Sequence, residues 1–206
     1  MAKQMKKRTP KVYLRDTNET LVKHWKQYFK PFPEVEVSHG DIFDVKATAI
    51  VSPANSFGYM TGGIDLLYRD KFGTKVEDLI KKNIDMHFYG ELPVGSALSV
   101  PMKGQDYKFL ISAPTMRVPM SVDNTLNPYL SFRAALLVAK DKNFDSILCP
   151  GMGTGSGTAC PEMAARQMFV AYITVVLDRT PKFGEHIYKQ MGWMLRCSQD
   201  TKPIGV

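Results

Sequence analysis

Residues 149–168 read CPGMGTGSGTACPEMAARQM. Gly151, Gly153, Gly155 and Gly157 alternate with Met152, Thr154 and Ser156. No helix or strand interior tolerates that density of glycine. The apolar run DSILC before it predicts a strand, and PEMAARQMFVAYITVVLDR after it predicts a long helix with Pro161 at a tolerated first-turn position. A backbone-rich loop between a strand and a helix suits close approach to an anion, phosphate above all. N–H groups that converge on one point alternate right- and left-handed residues, so Gly155 is expected to be harder to replace than Ser156.

Working outward, the same strand–loop–helix order recurs. KVYLRD (11–16) predicts a strand, and a helix follows with Thr17 or Asn18 as its cap. VEVSHGD (35–41) alternates as a second strand, and ATAIVSPAN (47–55) predicts a third, buried on both faces. The loop SFGYMTGG leads to a helix from Ile64 that Gly73 interrupts, and 75–88 continues helical. Strands are expected in 95–101 and 106–115, and a helix over 127–144. Strands alternating with helices predict a three-layer α/β/α sandwich around a mixed, largely parallel sheet, in one domain over 1–206. Residues 1–11 are expected to form a flexible tail, and 179–206 an extension with no assigned structure.

The 206 residues carry a formal charge of +7, which favours anionic partners. Cys149, Cys160 and Cys197 are too few and scattered for a disulfide framework, and no C-x-x-C pair offers a zinc site, so no metal is expected. A reducing, cytoplasmic setting fits. The basic N-terminus runs into no apolar segment of signal-peptide kind, and FVAYITVVL is too short to span a membrane. His24, His39, His87 and His186 share no metal-ligand spacing. Cys149 reads as a small buried hydrophobe rather than a nucleophile, with no nearby histidine to activate it.

The glycine loop is not a Walker A motif, since no Gly-Lys-Ser/Thr closes it. Ser156 also stands where a dinucleotide fingerprint counted from Gly151 needs its last glycine. Loops at the carboxyl ends of parallel strands line one crevice. That makes NSFGYMTGGID (55–65) the second candidate wall and Asp41, after Gly40, a third; alone, such an aspartate is as readily a turn residue or helix cap.

Gly40-Asp41-Ile42, AIVSPANSFGYMTGGID and ILCPGMGTGSG, in that order, resemble the three signature segments of macro domains, the α/β/α modules that bind ADP-ribose. LISAPTMRVP further resembles a segment of a bacterial and phage branch. The resemblance covers roughly residues 35 to 178. It implies that Asp41 accepts from the adenine amine, with Ile42 beside it, and that Asn55 meets the distal ribose. Gly62, Gly63 and Ile64 let backbone approach that ribose and its phosphate, and Gly153, Thr154, Gly155, Ser156 and Gly157 cradle the pyrophosphate. Asp65, ten positions after Asn55, resembles the second member of the Asn/Asp pair of hydrolytic macro domains. It would activate water against an ADP-ribosyl ester or ADP-ribose 1″-phosphate. The plain alternative for Asp65 is a first-turn acid favoured by the helix dipole.

The chain departs from many hydrolytic members in two places. Only Gly62 and Gly63 precede Asp65's turn, where three or four glycines are usual, and no aromatic stands near Ser156 and Gly157. These departures favour a non-catalytic ADP-ribose-binding module as the second reading. The basic charge, with Lys3, Lys6, Lys7, Arg8 and Lys11 in the tail, leaves a nucleic-acid-binding protein as the third. No cofactor is expected.

Overall fold

The computed structural model describes residues 9–197. The expected tail up to Arg8 and the extension beyond Cys197 lie outside the described residues. Among the described residues six strands and six helices follow in the order β1 (Lys11–Asp16), α1 (Glu19–Phe29), β2 (Val35–His39), β3 (Ala49–Ser52), α2 (Gly63–Phe72), α3 (Lys75–Phe88), β4 (Leu98–Pro101), β5 (Phe109–Ser112), α4 (Asn127–Asp141), β6 (Ser146–Cys149), α5 (Pro161–Val175) and α6 (Glu185–Met194). One sheet holds all six strands in the order β2-β1-β6-β3-β5-β4. Every pairing is parallel except β4 with β5. The fold is therefore the α/β/α sandwich with a mixed, largely parallel sheet that the alternation of elements predicts.

Side chains alternate across each strand and divide the core in two. Val12, Leu14, Ala49, Val51, Ile111 and Ile147 pack with α1, α4 and α5. Ile50, Leu110 and Leu148, their immediate neighbours, pack with Tyr68 and Phe72 of α2 and Ile80 and Ile84 of α3. β3 is buried throughout, as a central strand covered on both faces must be. Asn18 caps α1, its side chain accepting from the Leu21 N–H.

Both ends of the described residues are tied into the domain. Lys11 is not in a loose tail: it opens β1, donates its N–H to the Asp145 carbonyl at 2.9 Å and pairs with Glu36. The unassigned stretch after 179 contains α6. Only Met194 of that helix is buried, so no apolar stripe announces it. Buried Arg166 of α5 holds it instead, donating to the carbonyls of Trp193 and Arg196 at its C-terminal end, while Gln167 donates to the Met194 carbonyl. Cys160 and Cys197 also form a disulfide beside it, where scattered cysteines had pointed to none. Among the described residues no helix is long and apolar enough to cross a membrane.

Candidate functional site

Parallel pairing sends the carboxyl ends of β1, β2, β3 and β6 to one edge of the sheet, and every sequence-predicted site residue follows one of them.

After β6 comes the glycine loop. Asp16, the last residue of β1, accepts the Gly151 N–H at 2.9 Å with one carboxylate oxygen and the Asn18 N–H at 2.9 Å with the other. This ties the loop to the start of α1. The far end is anchored by the Val122 N–H, which donates to the Gly157 carbonyl at 2.7 Å, and by the hydroxyls of Ser121 and Thr158, 2.8 Å apart. Between the anchors, no hydrogen bond among the described residues takes up the N–H groups of Met152, Gly153, Thr154, Gly155, Ser156 or Gly157. Buried N–H groups without partners are rare in folded proteins, and here Met152, Gly153 and Gly157 are buried.

The glycines of this loop are not equivalent. A Cβ at Gly151 would run into the Thr154 hydroxyl and stand 2.6 Å from Leu21; at Gly153 it would stand 2.8 Å from Val122, and at Gly157 2.5 Å from the Gly153 carbonyl oxygen. At Gly155 it would meet nothing within 4 Å. The left-handed positions are Gly153, with φ of +75°, and Thr158, with φ of +53°. The expectation that Gly155 is the left-handed residue is therefore corrected. Its backbone does not demand glycine; the space beside it is simply open.

After β3 the chain makes the second wall. The Asn55 side chain is committed to its own loop: Oδ1 accepts the N–H groups of Phe57 and Tyr59 at 3.1 and 3.3 Å, and Nδ2 donates to the Tyr59 carbonyl at 2.7 Å. Tyr59 itself is half exposed with the Lys81 ammonium over its ring, 3.6 Å from the centroid. Gly62 precedes α2 with no side-chain cap, and no hydrogen bond among the described residues takes up the N–H groups of Gly63, Ile64 and Asp65. A Cβ on Gly63 would sit 3.6 Å from the Ser156 hydroxyl, so the two loops face each other at that point.

Asp65, in the first turn of α2, points into the protein and is 6% exposed. The Ser52 hydroxyl donates to its Oδ1 at 2.6 Å, and Oδ2 has no partner among the described residues. Burial raises its pKa to about 7; the Ser52 hydrogen bond opposes that rise and the charge of Glu77 adds to it. Glu77 is held by Lys81 at 2.5 Å and Arg69 at 3.6 Å. A carboxyl poised near neutrality is suited to taking a proton from water.

After β2, Asp41 caps a short 3₁₀ turn, Ile42–Asp44, by accepting the Phe43 N–H at 2.9 Å. Ile42 is buried beside it. Arg15 clamps this turn, with Nε on the Asp41 carbonyl at 2.6 Å and Nη2 on Asp44 at 2.7 Å. A Cβ at Gly40 would stand 2.6 Å from that guanidinium.

Sequence reasoning missed Asp16, Ser52, Arg15 and Val122, which hold the loops from other elements. No local signal marks them, because their partners lie far along the chain. Cys149 is fully buried and burial raises its thiol pKa, in keeping with an inert side chain. His39 is exposed and bonds the Thr17 carbonyl. A groove of about 420 Å³ between α4 and α5, lined by Tyr129, Arg133, Leu137 and Lys140, contains none of the predicted site residues. Among the described residues no cluster suited to a metal ion occurs.

The topology is that of an α/β/α sandwich whose two glycine-bearing loops meet at the carboxyl edge of the sheet. The family model "Macro domain" matches residues 51–168, and the chain belongs to that family. An uncharacterised protein of Aquifex aeolicus is 35% identical over 136 residues, covering 66% of this chain and 78% of its own length. The macrodomain of Mycobacterium tuberculosis DarG is similar in structure, with a TM-score of 0.57, 22% identity, and coverage of 68% of this chain and 90% of that one. So is an Oceanobacillus iheyensis macrodomain variant solved with ADPR, with a TM-score of 0.58, 22% identity, and coverage of 76% and 88%.

Proposed function

We propose that this protein binds ADP-ribose along the carboxyl edge of the sheet and hydrolyses an ADP-ribosyl derivative there. The observation that carries the reading is the run of unpartnered N–H groups from Met152 to Gly157, opposite the uncapped start of α2. Such groups are satisfied by an anion, and the positive end of the α2 dipole adds to the attraction. A pyrophosphate there lies between Gly153, Thr154, Gly155, Ser156 and Gly157 on one side and Gly62, Gly63 and Ile64 on the other. The adenine reaches Asp41 and Ile42. Asp41's Oδ1 already serves the Phe43 N–H, which leaves Oδ2 for the exocyclic amine. An ADP-ribose-bound relative and the family membership support this assignment.

In the hydrolytic step, Oδ2 of Asp65 takes a proton from a water as that water's oxygen attacks the anomeric carbon of the distal ribose. The bond from that carbon to the acyl oxygen breaks, and the carboxylate leaves. For the 1″-phosphate the same water attacks phosphorus, the bond from phosphorus to the 1″ oxygen breaks, and ADP-ribose leaves with that oxygen taking up the proton that Asp65 accepted. Asn55 holds the loop beneath the ribose.

The second reading is a non-catalytic ADP-ribose-binding module. One observation favours it: both ends of the Asn55 side chain are bound within its own loop. Calorimetric titration with ADP-ribose, AMP and a short oligonucleotide tests binding. ADP-ribose is expected to bind tightest; equal affinity for AMP removes the distal-ribose site, and a preference for the oligonucleotide replaces this reading with a nucleic-acid-binding one. Turnover of an ADP-ribosyl ester by the parent, lost in Asp65→Asn, separates enzyme from module.

A further inference from the structure

Beneath Asp65 lies a buried polar arrangement for which packing gives no reason. Ser52 ends β3 and Ser112 ends β5, both fully buried. The two are register partners in the parallel β3–β5 pair, so their side chains share a face. That face is the one covered by α2 and α3, because Ile50 and Leu110, two residues earlier on each strand, belong to the same core half as Tyr68, Ile80 and Ile84. Ser52 donates to Asp65. The Ser112 hydroxyl is buried with no hydrogen-bond partner. Burying an unpaired hydroxyl is costly, and an alanine in its place would avoid that cost.

We propose that Ser112, Ser52 and Asp65 form a buried hydroxyl chain that fixes the Asp65 carboxyl with Oδ1 down on the sheet and Oδ2 toward the cleft. The inference rests on the reading of Asp65 as the water-activating base. Ser52 uses its proton on Oδ1, which leaves its own oxygen as an acceptor. Ser112, one strand away on the same face, reaches that oxygen by rotating about its Cα–Cβ bond. A hydroxyl that receives a hydrogen bond donates a stronger one. Ser52 and Ser112 are thus positioning residues: neither touches substrate, and both act through the carboxyl. The other groups facing Asp65 are Glu77 of α3, neutralised by Lys81 and Arg69, and the Tyr68 hydroxyl of α2, which donates to the Val51 carbonyl. None of them supplies a donor to Oδ1, so Ser52 is its side-chain donor among the described residues.

The test follows the Asp65 carboxyl in the full chain by ¹³C NMR across pH, alongside the pH profile of ADP-ribosyl ester hydrolysis. Ser52→Ala should move the Asp65 titration upward by about one pH unit, and the acidic limb of kcat/KM should move with it while KM holds. Ser52→Thr, which keeps the hydroxyl, should restore the parent titration. Ser52→Cys, nearly isosteric but a poor donor, should repeat the alanine result and serves if the alanine variant unfolds. Ser112→Ala should shift the titration less, in the same direction, and add nothing in a Ser52→Ala background. An Asp65 titration unmoved by both Ser52→Ala and Ser52→Cys overturns the chain, as does a Ser112→Ala shift that persists in full without Ser52. Absence of hydrolysis in the parent defeats the enzymatic reading alone, since the NMR titration still decides the hydroxyl chain.

Discussion

The two loops that meet at the sheet edge solve opposite problems. In the loop after β3 the side chains do the tying: Asn55 bonds three backbone groups of its own loop, and Asp65 is paired with Ser52 below, while the N–H groups that open α2 stay free among the described residues. Residues 151–157 are tied at their ends by Asp16 and Val122 and through the Gly153 and Gly155 carbonyls, which accept the Ala159 and Thr158 N–H groups, and they leave a row of N–H groups unpaired among the described residues. The first loop carries a buried carboxyl; the second, on the proposed reading, is completed by an anion. Pre-organisation of the reacting group and unsatisfied polarity at the binding group are different uses of the same hydrogen-bond currency.

The largest effect expected from this contrast concerns Asp65. Its pKa is raised from the ordinary 3.8 to about 7 by burial, so the folded protein holds a proton that the unfolded chain has lost. Stability contributed at this site is therefore unimpaired below about pH 4, falls as pH rises toward 7, and stays reduced above that. The full penalty is about 4 kcal/mol. Asp65→Asn should melt higher than the parent at pH 8 and show little difference at pH 4; equal melting curves at both values would mean the carboxyl is solvated after all.

Next come the glycines of the second loop, which the structure sorts by clearance. Gly157→Ala places a methyl against the Gly153 carbonyl and should cost about 1–3 kcal/mol in thermal stability. Gly155→Val has open space, so the melting temperature should hold while calorimetric binding of ADP-ribose disappears. If Gly155→Val binds like the parent, the loop is a structural turn and the contrast between the two walls collapses.

Asn55→Ala removes two accepted hydrogen bonds and one donated one from an exposed-edge loop. A loss of about 1–2 kcal/mol in chemical denaturation is expected, because water can replace part of what is lost. A larger fall in hydrolysis than in binding would sharpen the first loop's role. The smallest effect is assigned to Ser156→Ala. It deletes one hydroxyl from a loop that works through its backbone, so ADP-ribose affinity should change by about 0.5–1.5 kcal/mol. A collapse of binding in that variant would shift the cradle's work from backbone to side chain.

Most of the scaffold was readable because its signals are local. Lys11–Asp16, Val35–His39 and Lys75–Phe88 form where β-branched alternation or helical periodicity places them, and Asn18 caps α1 through its own neighbours. α6 was not readable, since its hold on the domain comes from Arg166 and Gln167 and not from an apolar stripe of its own. The candidate site divides the same way. The glycine run and the ten-residue step from Asn55 to Asp65 are visible in one dimension. That Asp65 is buried, that Asn55 is already bonded, and that Gly153 rather than Gly155 is left-handed are not.

From the chain alone came the order of elements, the crossing to a parallel sheet and the positions of the loops, because side-chain periodicity and backbone freedom act between near neighbours. The protonation of Asp65, the anchors of the glycine loop and the buried serines beneath it were decided by tertiary structure. Each depends on residues brought together across the sheet, Ser52 beside Ser112 and Asp16 beside Gly151, and electrostatics and clearance act through space rather than along the chain.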